Sequence, residues 1–321
     1  MQTDLLKDRW ISLKYEFIGI LRNIKWGRYF VAIEKIHKVS NIGDAITLLE
    51  KYKEKAELLA GGTDLLVHLR EEKNRGSIII DISNIREMKK IEIKEKEIVL
   101  GALTTFSEIV QNDYIKENVT GLWKAAKSVG SPQIRNMGTI GGNIGNASPA
   151  ADTVPPLLAL DATLRVMSND GERSIKLCEF YGDKGETALK PNEMIISVGF
   201  SHLKNRREHI GFEKLGVRNA LAISKISCAV YLEVQDKSIN NIRIASGALG
   251  GYPIREYIVE DFIKGKVLSD EFIEVAAMKY SEALEKRLSG RNSWPYKKEA
   301  SKGVFKKAIY SLVNSYDPNN S

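Results

Sequence analysis

Gly138 to Asp152 reads G-T-I-G-G-N-I-G-N-A-S-P-A-A-D, and this run does most to limit what the chain can fold into. Its glycines, asparagines and small hydroxyl residues make a poor core element. Glycine reaches backbone conformations closed to other residues and lets a ligand come close, while successive free N–H groups form an anion-binding nest. The run therefore predicts contact with a phosphate-bearing cofactor, although on its own it fits a glycine-rich surface turn equally well. A second run, Leu58 to Leu65, reads L-L-A-G-G-T-D-L. It joins a short apolar strand, Glu57 to Ala60, to a helical turn from Asp64 to Arg70, again placing backbone N–H groups where a phosphate can sit. No lysine follows the glycines and the spacing is not G-x-G-x-x-G, so neither usual phosphate-loop pattern applies. Two such turns, about eighty residues apart, can converge on the two phosphates of one dinucleotide.

At 321 residues, with 43% hydrophobic and 28% charged content, the chain can bury a substantial core and is expected to form two domains, or three. The net charge of +7 comes from interspersed lysines and arginines rather than one block, and no nucleic-acid motif accompanies it. Cys178 and Cys228 are far apart, which argues against a zinc site, an iron–sulfur cluster or a disulfide framework and suits a reducing, cytoplasmic compartment. His37, His68, His202 and His209 show no metal-ligand spacing. No apolar run reaches membrane-spanning length and no secretory signal is evident, so membrane contact is not expected.

Along the chain, residues 1–28 carry an amphipathic helical pattern, a terminal extension whose basic face would suit a partner surface or an anionic membrane, or simply pack on its own protein. Asn41 reads as the N-cap of a helix through Tyr52. Strands are expected at Ser77 to Ile82, over Ile91 to Gly101, and at Thr163 to Met167, Ser174 to Leu177 and Glu193 to Val198. Helices are expected at Thr104 to Val110, Val119 to Val129 and Val154 to Leu160. Gly211 to Leu215, Ile226 to Val234 and Ile239 to Ala245 read as an antiparallel meander, followed by long helices at Glu271 to Leu288 and Lys297 to Val313. The fold class is α+β, with a boundary near Ser201 to Arg207.

The pair A-G-G-T-D-L (Ala60 to Leu65) and G-T-I-G-G-N (Gly138 to Asn143), closed by A-S-P-A-A-D, resembles the FAD-binding medium subunit of the molybdenum hydroxylases, the xanthine, carbon monoxide and nicotinate dehydrogenase type. The resemblance extends over S-P-Q-I-R-N at Ser131 to Asn136, K-L-G-V-R-N-A-L-A-I-S at Lys214 to Ser224 and Y-K-K-E-A-S-K-G-V-F-K-K at Tyr296 to Lys307. It implies a PCMH-type flavin-binding fold of two subdomains (residues 29–88 and 89–203), then a smaller C-terminal domain of antiparallel sheet plus helices (residues 204–321). By the matching motifs, Leu58, Leu59, Ala60, Gly61, Gly62, Thr63, Asp64 and Leu65 would wrap the FAD pyrophosphate. Thr139, Gly141, Gly142 and Asn143 would complete the clamp, with Asp152 near the ribose or capping the Val154 helix. Gly130 would back the flavin closely, and Ile195 and Lys214 would stand near the isoalloxazine, where a lysine can stabilise anionic reduced flavin or else face solvent.

The resemblance further implies that the molybdenum cofactor and the 2Fe–2S clusters belong to a large and a small partner subunit. This chain would be an electron-transfer subunit, passing electrons from the clusters through FAD to NAD or another acceptor, in a complex acting on a purine or other N-heterocycle. It would hold no metal and no catalytic acid, base or nucleophile for that substrate. Related oxidases that attach flavin covalently carry histidine just after the glycine pair; Thr63 stands there, so the FAD is expected to be non-covalent. A stand-alone flavin oxidase and a scaffold that has lost flavin are the alternative readings.

Overall fold

A computed structural model of the chain describes residues 33–71, 77–182, 185–203, 208–218, 222–235 and 238–313. The amphipathic pattern at residues 1–28 lies outside them. The first lobe is a parallel sheet of order β1-β3-β2, from strands β1 (Ile33–Lys38), β2 (Ala56–Leu59) and β3 (Ser77–Asp81). The central strand β3 is buried at every position, as a parallel strand covered on both faces requires. Between β1 and β2 runs helix α1 (Ile42–Tyr52), which buries Ala45, Ile46 and Leu49. Asn41 caps it, its Oδ1 accepting from Asp44 N at 2.8 Å. The parallel β2 delivers the chain at its C-terminal end into the first glycine-rich turn, the side of such a sheet where ligands gather. Helix α2 (Leu65–Glu71) follows.

The second lobe is a five-stranded antiparallel sheet of order β4-β5-β8-β6-β7. The extended stretch expected over Ile91 to Gly101 is a hairpin, β4 (Ile91–Ile93) and β5 (Glu97–Gly101), because Lys94-Glu95-Lys96 interrupts the apolar pattern with a turn. The other strands are β6 (Thr163–Ser168), β7 (Gly171–Lys176) and β8 (Met194–Ser201). Six short helices join them: α3 (Phe106–Gln111), α4 (Asp113–Asn118), α5 (Thr120–Ser128), α6 (Pro132–Met137), α7 (Ile140–Gly145) and α8 (Val154–Ala159). The first half of the Gly138 to Asp152 run is thus helical rather than an open loop. Thr139 starts α7 by accepting from Gly142 N at 3.1 Å, and Ile140 and Ile144 bury one side of it.

The C-terminal sheet has the order β12-β11-β10-β9, from β9 (Glu208–Gly216), β10 (Ser224–Gln235), β11 (Ser238–Gly247) and β12 (Ile254–Arg255). Alternation along β10 gives it two apolar faces. Ala229 and Tyr231 join Ile210 and Phe212 in the core shared with the second lobe. Cys228, Val230 and Leu232 face the helices α10 (Asp270–Leu288) and α11 (Trp294–Val313), where Tyr280 and Phe305 stack at 4.8 Å. Each fully buried Leu, Ile or Phe there contributes roughly 1.5–3 kcal/mol. Helix α9 (Tyr257–Ile263) precedes them. Among the described residues no helix is long and apolar enough to cross a membrane.

Candidate functional site

The two glycine-rich segments meet backbone to backbone. A Cβ on Gly61 would fall 1.9 Å from the carbonyl oxygen of Met137 and 3.2 Å from Cα of Gly138, so only glycine lets the turn after β2 lie against the entry to α7. Gly62 has φ +73°, a left-handed turn that glycine adopts without strain. Beside this junction the lobes leave a cleft of about 600 Å³, a size usual for small-molecule sites.

The two segments face the cleft differently. Among the described residues, the N–H groups of Gly61 to Leu65 have no hydrogen-bond partner within the chain, leaving a row of donors for an anion. The expected nest at the second segment is absent, because its N–H groups are used internally. Ile140 N donates to Thr104 O, Gly141 N to Ala102 O, Gly142 N to the Thr139 hydroxyl and Asn143 N to Thr139 O. That segment instead offers close approach. At Gly142, which lines the cleft, a Cβ would meet only Thr139 Oγ1, at 2.9 Å. Asn143 is oriented by Thr153 Oγ1, which donates to its Oδ1 at 2.7 Å.

Of the expected contacts, Leu58, Ala60 through Leu65, Thr139, Gly141 through Asn143 and Ile195 line the cleft. Four do not. Leu59 is fully buried with Leu69 and Ile79. Gly130 has φ +41° and a Cβ there would lie 2.8 Å from Ile134, so its glycine answers to its own backbone and to α6. Asp152 and Lys214 are joined to each other at 2.6 Å. The remaining Lys214 donors go to Ser128 O and Ala222 O, and Ser224 Oγ donates to Asp152 Oδ1. Burial pushes the Asp152 carboxyl up, against the pull of the Lys214 ammonium. Asp152 does not cap the Val154 helix, whose N-cap is Thr153.

The walls also carry residues that the motifs did not reveal: Lys53, His68, Thr187 and Lys190. Lys190-Pro191-Asn192-Glu193 forms the turn before β8, and the Pro-Asn pair is its sequence signal. Its shape is held by Glu193, which accepts from Lys190 N and pairs with Arg173 through two 2.7 Å hydrogen bonds. The Arg173 guanidinium holds the Glu193 carboxyl below its usual range.

A two-lobed cleft with free backbone donors on one side and side-chain-free glycine on the other defines a protein of the dinucleotide-cofactor class. A model of the FAD binding domain in molybdopterin dehydrogenase matches residues 31–200, and one of the CO dehydrogenase flavoprotein C-terminal domain matches residues 212–312. The chain is 34% identical over 279 residues to the nicotinate dehydrogenase FAD-subunit of Eubacterium barkeri, covering 85% of this chain and 94% of that one. It is 32% identical to the xanthine dehydrogenase FAD-binding subunit of Escherichia coli O157:H7, covering 82% and 89%. In the solved carbon monoxide dehydrogenase of Hydrogenophaga pseudoflava, a chain superposes with a TM-score of 0.81 at 25% identity, covering 89% of this chain and 99% of that one. The chain belongs to the FAD-binding subunits of the molybdenum hydroxylases, an oxidoreductase family.

Proposed function

We propose that this chain is the flavin relay of a cytoplasmic molybdenum hydroxylase, with FAD held non-covalently in the cleft between the lobes. The observation that carries this reading is the meeting of the two glycine-rich segments at Gly61 and Met137, with the N–H groups of Gly61 to Leu65 free beside it. Those donors would take the pyrophosphate, and Gly142 would let it approach the α7 backbone. Thr139 and Asn143 would hold that backbone in place through the hydrogen bonds already described. When bound, FAD supplies exchange between the single electrons of iron–sulfur clusters and the two-electron chemistry of nicotinamide. The C-terminal domain, from about residue 204, would buttress the second lobe through the face of its sheet that carries Ala229 and Tyr231.

The two cysteines, one buried and one exposed, give this chain no set of cluster ligands. In this reading a small partner subunit carries the 2Fe–2S clusters, a large one carries the molybdenum cofactor, and NAD or another acceptor takes the electrons. Relatives named for nicotinate and xanthine support a purine or other N-heterocycle as the substrate of the complex. Purification from native extract tests this. The expected result is co-elution with two further chains, with flavin, iron and molybdenum in the peak and N-heterocycle-dependent reduction of an acceptor. A flavin-free chain eluting alone overturns it.

A further inference from the structure

Glu50, near the end of α1, has a carboxylate that faces two ways. Its Oε1 lies 3.3 Å from Lys53 Nζ, and its Oε2 accepts from Asn192 Nδ2 at 2.7 Å. The second contact joins the lobes across 142 residues of sequence. Its neighbours on both sides, Leu49 and Lys53 from the first lobe and Pro191 and Glu193 from the second, line the cleft, so this hydrogen bond lies at the cleft's rim.

Both partners are presented by fixed structure. Asn192 stands in the Lys190–Glu193 turn, anchored by Arg173, which also donates to Ala188 O at 2.8 Å. Lys53 has φ +46° at the C-cap of α1, and this turn lets it reach back to Glu50. The Glu50 carboxyl is held below its usual range, first by the Asn192 amide and then by Lys53, so it is an ionised acceptor at neutral pH. The Gly61 junction is backbone against backbone and cannot open without moving a turn. The Glu50–Asn192 bond is a single side-chain contact at a half-buried rim, and it can open by rotation of two side chains.

The geometry points to Glu50 and Asn192 as a clasp: a positioning pair that fixes the width of the cleft and slows escape of the dinucleotide. This rests on the reading that FAD occupies the cleft. Neither residue lines it, so the pair acts on the separation of the walls.

The test is stopped-flow measurement of FAD association and dissociation with the full chain. Asn192→Ala and Glu50→Ala should each raise the dissociation rate about threefold to tenfold, with association little changed. The double variant should be no faster than the faster single one, because both remove the same bond. Glu50→Gln keeps an acceptor oxygen and should restore most of the slow release. Unchanged thermal midpoints of the FAD-free variants would separate the clasp from general loosening. If the wild type binds one FAD while the single variants release it at the wild-type rate, or if their effects add fully, the clasp is wrong and the cofactor reading stands. If the wild type takes up no FAD, both fall.

Discussion

Lys214 Nζ lies 2.6 Å from Asp152 Oδ2, tying strand β9 of the C-terminal sheet to the end of the Gly138–Asp152 run. The side chains are only 16% and 9% exposed, so the pair is desolvated and each charge depends on the other. Lys214→Met would leave a buried carboxylate with the side chains of Ser224 and Ser128 as its remaining partners. The expected cost is about 3 kcal/mol of unfolding free energy, and Lys214→Met with Asp152→Asn should recover part of it. Urea denaturation of the wild type and the two variants measures both.

The same pair gives a pH dependence. Asp152 is pushed above its ordinary value by burial, so the folded state binds this proton more tightly than the unfolded one. Its contribution is fully present below the ordinary aspartate value and is lost as pH rises through the raised folded value. The stability of the wild type relative to Asp152→Asn should therefore improve as pH falls through that window. A difference that declines on acidification would show that Lys214, and not burial, governs the carboxyl.

Gly61 and Gly142 separate shape from binding. Gly61→Ala places a methyl group on the Met137 carbonyl, a backbone clash that should destabilise the chain by about 1–3 kcal/mol and weaken FAD retention with it. At Gly142, which lines the cleft, a Cβ meets only Thr139 Oγ1, so Gly142→Leu should weaken FAD binding about tenfold or more with a smaller change in stability. Thermal melts of the FAD-free proteins beside FAD titrations test the contrast, and equal losses of stability would refute it.

Thr139 serves the same junction through backbone. Its hydroxyl accepts from Gly142 N and starts α7. Thr139→Ala should cost about 1 kcal/mol, while Thr139→Ser should cost little, as read by denaturation midpoints.

Much of this architecture was legible in the residues. The buried run Ser77–Asp81, the Asn41 cap and the alternation along Ser224–Gln235 are local patterns, and local rules read them. The two glycine-rich segments were legible as partners because glycine clusters are costly to keep without a close contact. What they do once together was not. Ala102 and Thr104, which take the N–H groups of Gly141 and Ile140, come from the turn that follows β5, so the helix within the second segment depends on a tertiary neighbour. Lys53 and Lys190 look like ordinary surface lysines until the lobes bring them to one cleft. Lys214 and Asp152 are each plausible cofactor contacts in sequence, yet their pairing joins strand β9 to the turn before α8 and is visible only in three dimensions.

The cleft beside Gly61 and Met137 is the proposed seat of FAD. Titrating FAD into the purified full-length chain, with bound flavin followed by fluorescence and counted by absorbance after gel filtration, tests it most directly. The expected result is saturation at one FAD per chain, released intact on denaturation, with Gly142→Leu binding clearly weaker. A wild-type chain that stays colourless at saturating FAD, or a Gly142→Leu variant that binds equally well, would contradict it.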